Sequence, residues 1–300
     1  MGAATRQTKA TTEVSIDLRY KPPYDWDGVL SFLKLRAITG VESIIGECYA
    51  RTIEIDGYHG IVAVRPGKAN SLRATIRFQQ LSALPKIIAR LRRVFDLAAD
   101  PQAIASHLSE DATLGLLIAA RPGLRVPGAW DGFELAMRAV LGQQITVTAA
   151  IALAGKLVAL YGEKLNGDGG GYAALTHVFP RAERIANADL ASLGMPRRRA
   201  AALSSLAAAV AADPEIFGAR RSLDEAITQL CALAGVGEWT AQYIAMRQLR
   251  EPDAFPAADI GLMRAMADAQ GRRPTPRELL ARAEAWRPWR AYAAQHLWMK

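Results

Sequence analysis

A glycine-rich turn and a carboxylate stand close together in the last third of this chain. Gly235 and Gly237 separate two segments with apolar residues at helical spacing, Leu223–Leu233 and Thr240–Leu249, and Asp259 follows the second. Glycine permits the left-handed or closely approached backbone that a tight turn between helices needs. A helix that begins just after Gly237 directs unpaired backbone N–H groups outward, where they can bind a phosphate. The stretch therefore predicts a phosphate contact with a carboxylate nearby.

Asp259 has two interpretations that do not exclude each other. An aspartate directly before a helical segment is an ordinary N-cap, and Ile260, Met263 and Met266 have the apolar spacing of such a segment. The same carboxylate can face a cleft, where it would stabilise positive charge on a reacting sugar or orient an attacking water. The residues alone leave both interpretations open.

The composition is that of an ordinary globular protein. Its 300 residues are 51% hydrophobic and 22% charged, which excludes a largely disordered chain and allows two or three domains. A net charge of +8 favours a polyanionic partner, although basic proteins are common. Cys48 and Cys231 are the only cysteines, too few for a four-cysteine iron–sulfur cluster. Because no stretch is long and apolar enough to span a bilayer, we expect a cytoplasmic protein with no membrane partner.

The hydrophobic patterns predict an α+β fold that is mostly α. Residues 1–12 are polar, and we expect them to form a disordered lead-in. An antiparallel sheet with helices is expected over 13–103, where strand-like runs alternate with turn signals. These runs are Val14–Arg19, Cys48–Ile55, Gly60–Val64 and Leu72–Phe78. From Asp100 onward the strand pattern ends and helical patterns recur, including Pro180–Leu193 and Arg198–Ala212.

Five segments, taken in order, resemble the helix–hairpin–helix DNA glycosylase superfamily, and most closely its bacterial alkylation-repair members, the 3-methyladenine DNA glycosylases II. They are Pro22 to Trp26, Phe133 to Gln144, the hairpin at 230–241, Phe255 with Asp259, and Trp286 to Trp298. The resemblance implies an N-terminal TBP-like sheet domain, a helical domain at 132–251 with the wedge turn and hairpin, and a second helical domain. That second domain combines 104–131 with 252–300 and carries Asp259.

The resemblance also implies an activity. A monofunctional member flips alkylated bases such as 3-methyladenine and 7-methylguanine out of damaged double-stranded DNA and hydrolyses the N-glycosidic bond, leaving an abasic site for base excision repair. Asp259 would be the catalytic residue. In relatives that also cut the backbone, a lysine stands at the position of Trp239, so Trp239 predicts no lyase activity. The alternative is a non-catalytic, lesion-recognising DNA-binding protein of the same fold, which the combination of Asp259 with the aromatic residues disfavours.

Further roles come from the same resemblance. The base pocket would contain Phe32, Trp239, Tyr243 and Trp298, each of which could instead be a core aromatic. The DNA intrusion turn would contain Gln143 and Gln144, with Gln144 where a relative has an apolar wedge. DNA phosphate would be bound by Gly235, Gly237 and Thr240. No cofactor is required, but the backbone carbonyls of Cys231, Leu233 and Gly235 could hold a structural Na⁺ or K⁺. Ile260 replaces an aromatic residue of the best-known relative, and we expect a monomer.

Overall fold

The computed structural model of this chain, which describes residues 12–165, 169–218 and 221–300, begins with a five-stranded antiparallel sheet. Its strands are β1 Thr12–Arg19, β2 Glu42–Ile45, β3 Cys48–Ile55, β4 Tyr58–Pro66 and β5 Ser71–Phe78. In space they lie in the order β1-β5-β4-β3-β2. The turn between β3 and β4 consists of Asp56 and Gly57, whose φ angles of 52° and 82° are those that a two-residue hairpin turn favours.

Both faces of this sheet are covered. Helices α1 Trp26–Lys34 and α2 Leu84–Val94 pack on one face, where α2 buries Ile87, Leu91 and Val94 at helical spacing against the strands. On the other face, Ala50 and Ile61 pack against Leu175 from the helical part of the chain. The sheet is therefore a layer between its own helices and a later segment.

Helices account for most of the remaining chain. Their bounds are α3 Pro101–Leu108, α4 Ala112–Ala120, α5 Gly132–Leu141, α6 Val147–Tyr161, α7 Ala182–Ala186, α8 Arg197–Ala212, α9 Leu223–Cys231, α10 Glu238–Ile244, α11 Ile260–Ala265, α12 Pro276–Ala283 and α13 Arg290–Trp298. A π-helical segment, Ala245–Leu249, continues α10. Two short strands, β6 Glu163–Lys164 and β7 His177–Val178, pair antiparallel.

The helices form two hydrophobic cores. The first joins α5 through α10, and its members include Leu141, Leu157, Leu203 and Ile244. The second joins α3 and α4 to the helices after α10, with Leu114, Leu262, Leu279 and Leu297 among its members. Residues that are far apart in the chain therefore share the second core. The α+β, mostly α fold class is confirmed.

Three details differ from the expectations. β2 was not predicted, because a four-residue strand is too short for a clear alternating pattern. The expectation that strands end before Asp100 is wrong, since β6 and β7 pair, although each has only two residues. The helix expected over Pro180–Leu193 is reduced to α7 and a short 3₁₀ turn.

The predicted lead-in lies outside the described residues except for Thr12, the first residue of β1. Among the described residues, no helix combines the length and apolar character that a membrane crossing needs.

Candidate functional site

A cleft of about 1130 Å³ opens where the sheet domain meets the two helical cores. Its walls come from α5 and the turn after it, from the start of α10, from 258–261, and from the end of α13. The predicted site residues that line it are Gln143, Gln144, Gly237, Trp239, Thr240, Tyr243, Asp259 and Trp298. The structure thus places residues from distant parts of the chain around one cavity.

Asp259 caps α11 and faces this cleft at the same time. Its Oδ1 accepts hydrogen bonds from the backbone N–H of Leu262 at 3.0 Å and from the Trp298 indole at 2.9 Å, and its Oδ2 accepts one from the Trp239 indole at 3.0 Å. An ionised carboxylate offers about four acceptor sites. The three N–H groups therefore fix the orientation of the carboxylate and leave an acceptor site on Oδ2. That site can receive a hydrogen bond from water or from a ligand in the cleft.

Gly261 allows this arrangement because it has no side chain. A Cβ atom at this position would lie 2.9 Å from Oδ1 of Asp259 and 3.3 Å from Cδ1 of Trp298. Both distances are shorter than ordinary van der Waals contact. Glycine is thus required here for the close approach of the indole to the carboxylate.

Three aromatic residues form a wall beside the carboxylate. Trp239 and Tyr243, one turn apart on α10, stack with centroids 5.4 Å apart and planes inclined by 8°. Trp298 meets Tyr243 edge to face at 6.2 Å. Aromatic faces bind flat rings by stacking and attract cations. The wall therefore suits a flat, positively charged group, and its two indole N–H groups already hold Asp259.

Phe32, the fourth predicted pocket aromatic, does not line the cleft. It is 3% exposed in the core of the sheet domain, and the guanidinium carbons of Arg36 and Arg247 lie 3.8 Å and 4.6 Å from its ring centroid. The cleft is lined by these two arginines instead. Sequence reasoning missed both, although Arg247 is four residues after Tyr243, a spacing that places side chains on one helix face.

The two arginines also act on Tyr243. Arg247 donates a hydrogen bond to the Tyr243 hydroxyl. Burial raises the pKa of Tyr243, but the positive charges of Arg247 and Arg36 outweigh burial and hold this pKa below its usual value. The aromatic wall thus lies in a region of positive potential, next to the negative charge of Asp259.

A buried ion network lies along the cleft and joins the sheet domain to α5. Arg51 and Arg138 each donate to Glu134 at 2.6 Å, Arg138 also pairs with Glu42, and the Tyr49 hydroxyl donates to Glu42 at 2.7 Å. Burial raises the pKa of Glu134, but the two guanidinium groups outweigh burial and lower this pKa to about 2. The network was missed, although a Glu and an Arg four residues apart in an otherwise apolar helix could have indicated it.

The turn after α5 contains the two glutamines. Gln144 is exposed and has a φ of 59°, a left-handed conformation that is uncommon outside glycine. Gln143 donates from its side-chain amide to the Gly235 carbonyl at 2.8 Å and to the Thr240 hydroxyl at 3.0 Å. The carbonyl of Gln143 accepts a hydrogen bond from Arg199 at 2.5 Å. Gln143 thus ties this turn to the hairpin, and Gln144 is the residue left exposed on the cleft rim.

The two glycines of the hairpin between α9 and α10 differ, and only Gly235 has a backbone that requires glycine. Gly235 has a φ of 79°, and a Cβ there would lie 2.6 Å from the Cβ of Ala202. Gly237 is exposed, and a Cβ there would have no neighbour within 4 Å, so its surroundings are open to a ligand. Thr240 is 2% exposed, and its hydroxyl accepts from Gln143.

The three carbonyls predicted to hold a cation belong to the end of α9 and to the hairpin that follows it. The Leu233 carbonyl accepts from the Val236 N–H at 3.1 Å, and the Gly235 carbonyl accepts from Gln143. A carbonyl has two acceptor sites, so one site on each is left. Cys231 ends α9, where the last carbonyls have no helical partner. Within the described ranges, no group of three or more His, Cys, Asp or Glu side chains could hold a metal ion.

Comparison with protein families shows two matches along the chain. Residues 15–131 match the AlkA N-terminal domain, and residues 137–291 match the HhH-GPD superfamily base excision DNA repair protein. The DNA-3-methyladenine glycosylase 2 of Escherichia coli (strain K12) is 36% identical over 288 residues, which are 94% of this chain and 95% of that protein.

A second relative is longer. The "Probable bifunctional transcriptional activator/DNA repair enzyme AlkA" of Mycobacterium tuberculosis (strain ATCC 25618 / H37Rv) is 40% identical over 299 residues, which are 99% of this chain and 59% of that protein. This chain therefore spans less than two thirds of the length of that relative.

Solved structures share the fold. The 3-methyladenine DNA glycosylase from Archaeoglobus fulgidus superposes with a TM-score of 0.81 at 22% identity, covering 95% of this chain and 97% of that chain. A 3-methyladenine DNA glycosylase of Schizosaccharomyces pombe, solved in complex with abasic DNA, has a TM-score of 0.54 at 25% identity and covers 65% of this chain and 95% of that chain.

Proposed function

Because this chain belongs to the HhH-GPD superfamily of base excision DNA repair proteins, we propose that it is a monofunctional DNA glycosylase for alkylated bases. It flips bases such as 3-methyladenine and 7-methylguanine out of duplex DNA and hydrolyses their N-glycosidic bond, leaving an abasic site. It acts as a cytoplasmic monomer without a required cofactor. The family predicted from the sequence is confirmed by these matches, and the name of the E. coli relative supports the activity.

The single observation that carries this proposal is the setting of Asp259. Its carboxylate lines a large cleft, held by two indole N–H groups and one backbone N–H, with an acceptor site left on Oδ2. A protein that only bound DNA would gain nothing from a carboxylate beside the anionic backbone. A hydrolase that generates a sugar cation gains electrostatic stabilisation from it.

In the proposed reaction the bond between C1′ and the base nitrogen breaks, and its electron pair leaves with the base. A purine methylated on a ring nitrogen carries a positive charge, so it departs as a neutral molecule without a strong general acid. The positive charge that develops on the sugar is stabilised by Asp259. The same carboxylate orients the water, whose hydroxyl bonds to C1′ and whose proton passes to the carboxylate and then to solvent.

The aromatic wall supports the same assignment. A cationic purine that stacks beside Trp239, Tyr243 and Trp298 is bound by their electron-rich faces. Trp239 has no amine that could form a Schiff base with C1′, so water is the nucleophile and strand cleavage does not follow. Phe32 lies behind Arg36 and Arg247 and contributes to the pocket by supporting these two side chains.

The turns around the cleft are proposed to bind the DNA. The exposed backbone at Gly235 and Gly237, with Thr240 behind it, binds a phosphate. The carbonyls of Cys231, Leu233 and Gly235 hold Na⁺ or K⁺ against the same phosphate. Gln144 enters the duplex and fills the space of the flipped nucleotide, and Gln143 holds that turn against the hairpin.

The test is base release from methylated duplex DNA by the wild type and by Asp259→Asn. We expect the wild type to release 3-methyladenine, and the variant to lose nearly all release while it retains affinity for abasic DNA. An asparagine presents only one oxygen, so it loses one indole hydrogen bond as well as the charge. The unfolding midpoint of the variant therefore has to be measured beside its activity.

Asp27→Asn is the matched control, because it removes the same charge from an exposed position on α1. We expect it to release the base at the wild-type rate. Equal release by Asp259→Asn and the wild type would contradict the catalytic assignment. Absence of release by the wild type, with tight binding to the damaged duplex, would favour the non-catalytic lesion-binding protein.

A further inference from the structure

The buried ion network along the cleft joins the sheet domain to the helix that precedes the proposed wedge turn. Its two carboxylates and two guanidinium groups balance in charge: Glu42 on β2, Arg51 on β3, and Glu134 and Arg138 on α5. The side chains of Glu42, Arg51 and Glu134 are 5%, 4% and 6% exposed. Two of the ion pairs, Arg51 with Glu134 and Arg138 with Glu42, cross from one domain to the other.

Stability alone does not explain why charges lie at this junction. Removing charged groups from water is costly, and well-packed apolar residues of similar volume often stabilise a buried junction as well or better. Apolar surfaces can shift against each other and still remain in contact. A hydrogen-bonded ion pair is lost when its donor and acceptor move apart by a fraction of an ångström or turn out of line. A charged junction can therefore fix one register between the two domains.

Arg138 is the member of the network that contacts the sheet domain at two points. Its Nη2 pairs with Glu134 at 2.6 Å and with Glu42, and its Nη1 donates to the backbone carbonyl of Arg36 at 2.7 Å. Glu42 lies on β2, and Arg36 lies in the turn just after α1. A guanidinium group is planar and directs its N–H donors rigidly. Arg138 therefore sets the position of α5 against two separate elements of the sheet domain.

The wedge turn begins one helical turn after Arg138. The N–H of Gly142 donates to the Arg138 carbonyl at 3.0 Å, and Gln143 and Gln144 follow directly. On the other side, the Gln143 amide holds the same turn to the Gly235 carbonyl at 2.8 Å. The turn is therefore attached to the hairpin on one side and, through the last turn of α5, to the sheet domain on the other.

We propose that Arg138 is a positioning residue for base flipping, which fixes the wedge turn against the sheet domain so that Gln144 enters the duplex beside the damaged nucleotide. This inference rests on the proposed glycosylase function. Unpairing and unstacking a nucleotide costs free energy, so the duplex resists the entering side chain. A turn that yields under this resistance leaves the nucleotide stacked. The sheet domain, acting through Arg138, prevents that movement.

The experiment compares two duplexes that differ in what stands opposite a single 7-methylguanine. In the first the lesion is paired with cytosine, and in the second it faces an abasic-site analogue, so no base pair has to be broken and flipping costs less. Base release is measured under single-turnover conditions. The quantity of interest is the ratio of the two release rates, because it isolates the cost of flipping from the cost of bond cleavage.

Arg138→Lys keeps the charge but removes the rigid fork, since one ammonium nitrogen cannot reach acceptors on both sides of the junction in the same geometry. We expect it to slow release from the paired lesion by roughly tenfold and from the unpaired lesion by less than about twofold, as for a displacement of a fraction of an ångström. In the background of Gln144→Ala, Arg138→Lys should slow both duplexes by the same factor, because the side chain through which Arg138 acts is absent.

Arg290→Lys is the matched control. The Arg290 side chain is 6% exposed and pairs with Asp253 and Glu284, and none of these three residues lines the cleft. This variant should leave the ratio of the two rates unchanged, even if it lowers stability. An unchanged ratio in Arg138→Lys would overturn the positioning role, and so would a changed ratio that persists in the Gln144→Ala background. Wild-type protein that releases 7-methylguanine from neither duplex would count against the proposed function itself.

Thermal unfolding shows whether Arg138→Lys is folded. If it is not, Tyr49→Phe takes its place, because this change removes the hydroxyl that donates to Glu42 at 2.7 Å and keeps all four charges of the network. A larger loss of rate for the paired lesion than for the unpaired lesion supports the positioning role of the network, and equal losses refute it.

Discussion

Gly261→Ala should reduce base release without unfolding the protein. The new Cβ would lie 2.9 Å from Oδ1 of Asp259, about 0.5 Å closer than ordinary contact, and 3.3 Å from Cδ1 of Trp298. The carboxylate and the indole must therefore move apart, and the hydrogen bond of 2.9 Å between them lengthens. A displacement of about 1 Å at a reacting centre can cost on the order of a hundredfold in rate. For half that displacement we expect a loss of roughly tenfold.

The stability of the same variant should change little. Gly261 lies in the first turn of α11, and alanine in a helix is favoured over glycine by about 0.5–1 kcal/mol. This gain opposes the cost of moving the carboxylate and the indole. We therefore expect the free energy of unfolding to stay within about 1 kcal/mol of the wild type.

The assays are single-turnover release of 3-methyladenine and urea unfolding. Gly155→Ala in α6 is the control, because its new Cβ would have only the Cβ of Thr39 within 4 Å, at 3.9 Å. It should stabilise the protein by about 0.5–1 kcal/mol and leave base release unchanged. Wild-type release by Gly261→Ala would refute the argument that carboxylate placement limits the rate. Destabilisation by several kcal/mol would refute the claim that stability and activity separate here.

Two further predictions concern the supports of the cleft. Glu134→Gln should lower the free energy of unfolding by roughly 3–5 kcal/mol, because it leaves buried Arg51 and partly buried Arg138 without this carboxylate. In the wild type, the stabilisation that ionised Glu134 adds to the free energy of unfolding should be complete above pH 4.5. It should be lost as pH falls towards 2, because the folded-state pKa of about 2 lies below the ordinary value of 4.5. Urea unfolding against pH measures both effects, and an identical acid profile in the variant would contradict them. Alanine substitutions of the two glutamines should have different effects. Gln143→Ala should lower the free energy of unfolding by about 1–2 kcal/mol through two lost hydrogen bonds. Gln144→Ala should change it by no more than about 0.5 kcal/mol and should slow base release. A stability loss in Gln144→Ala as large as that in Gln143→Ala would count against this division.

The sequence was most informative where the signal is local. The glycines of the hairpin and the N-cap position of Asp259 are readable because a turn or a helix start depends on a few adjacent residues. The family resemblance added the aromatic residues. Trp239 and Trp298 were expected to contact the base, but the direction of their indole N–H groups towards Asp259 depends on how α10, α11 and α13 pack, and no residue pattern encodes that.

The ion pairs along the cleft could not be predicted from the sequence for the same reason. Arg138 and Glu42 are 96 residues apart, and Arg51 and Glu134 are 83 residues apart, so their pairing depends on how the sheet domain meets α5. Arg36 lies in the turn just after the amphipathic helix α1, where an arginine usually faces solvent. Only the complete fold shows that it lines the cleft.

If the proposed function holds, the geometry around Asp259 would couple recognition of the base to catalysis. The two indoles that would stack with a flipped base are the same two groups that hold the carboxylate, through hydrogen bonds of 3.0 Å and 2.9 Å. A base that fits the wall leaves both indoles in place and keeps the carboxylate aligned with C1′. A base that tilts either indole loosens the carboxylate, and because this interaction matters most when charge develops on the sugar, the penalty falls on the rate of bond cleavage more than on binding. Such a cleft can admit bases of many shapes and still discriminate among them during the chemical step.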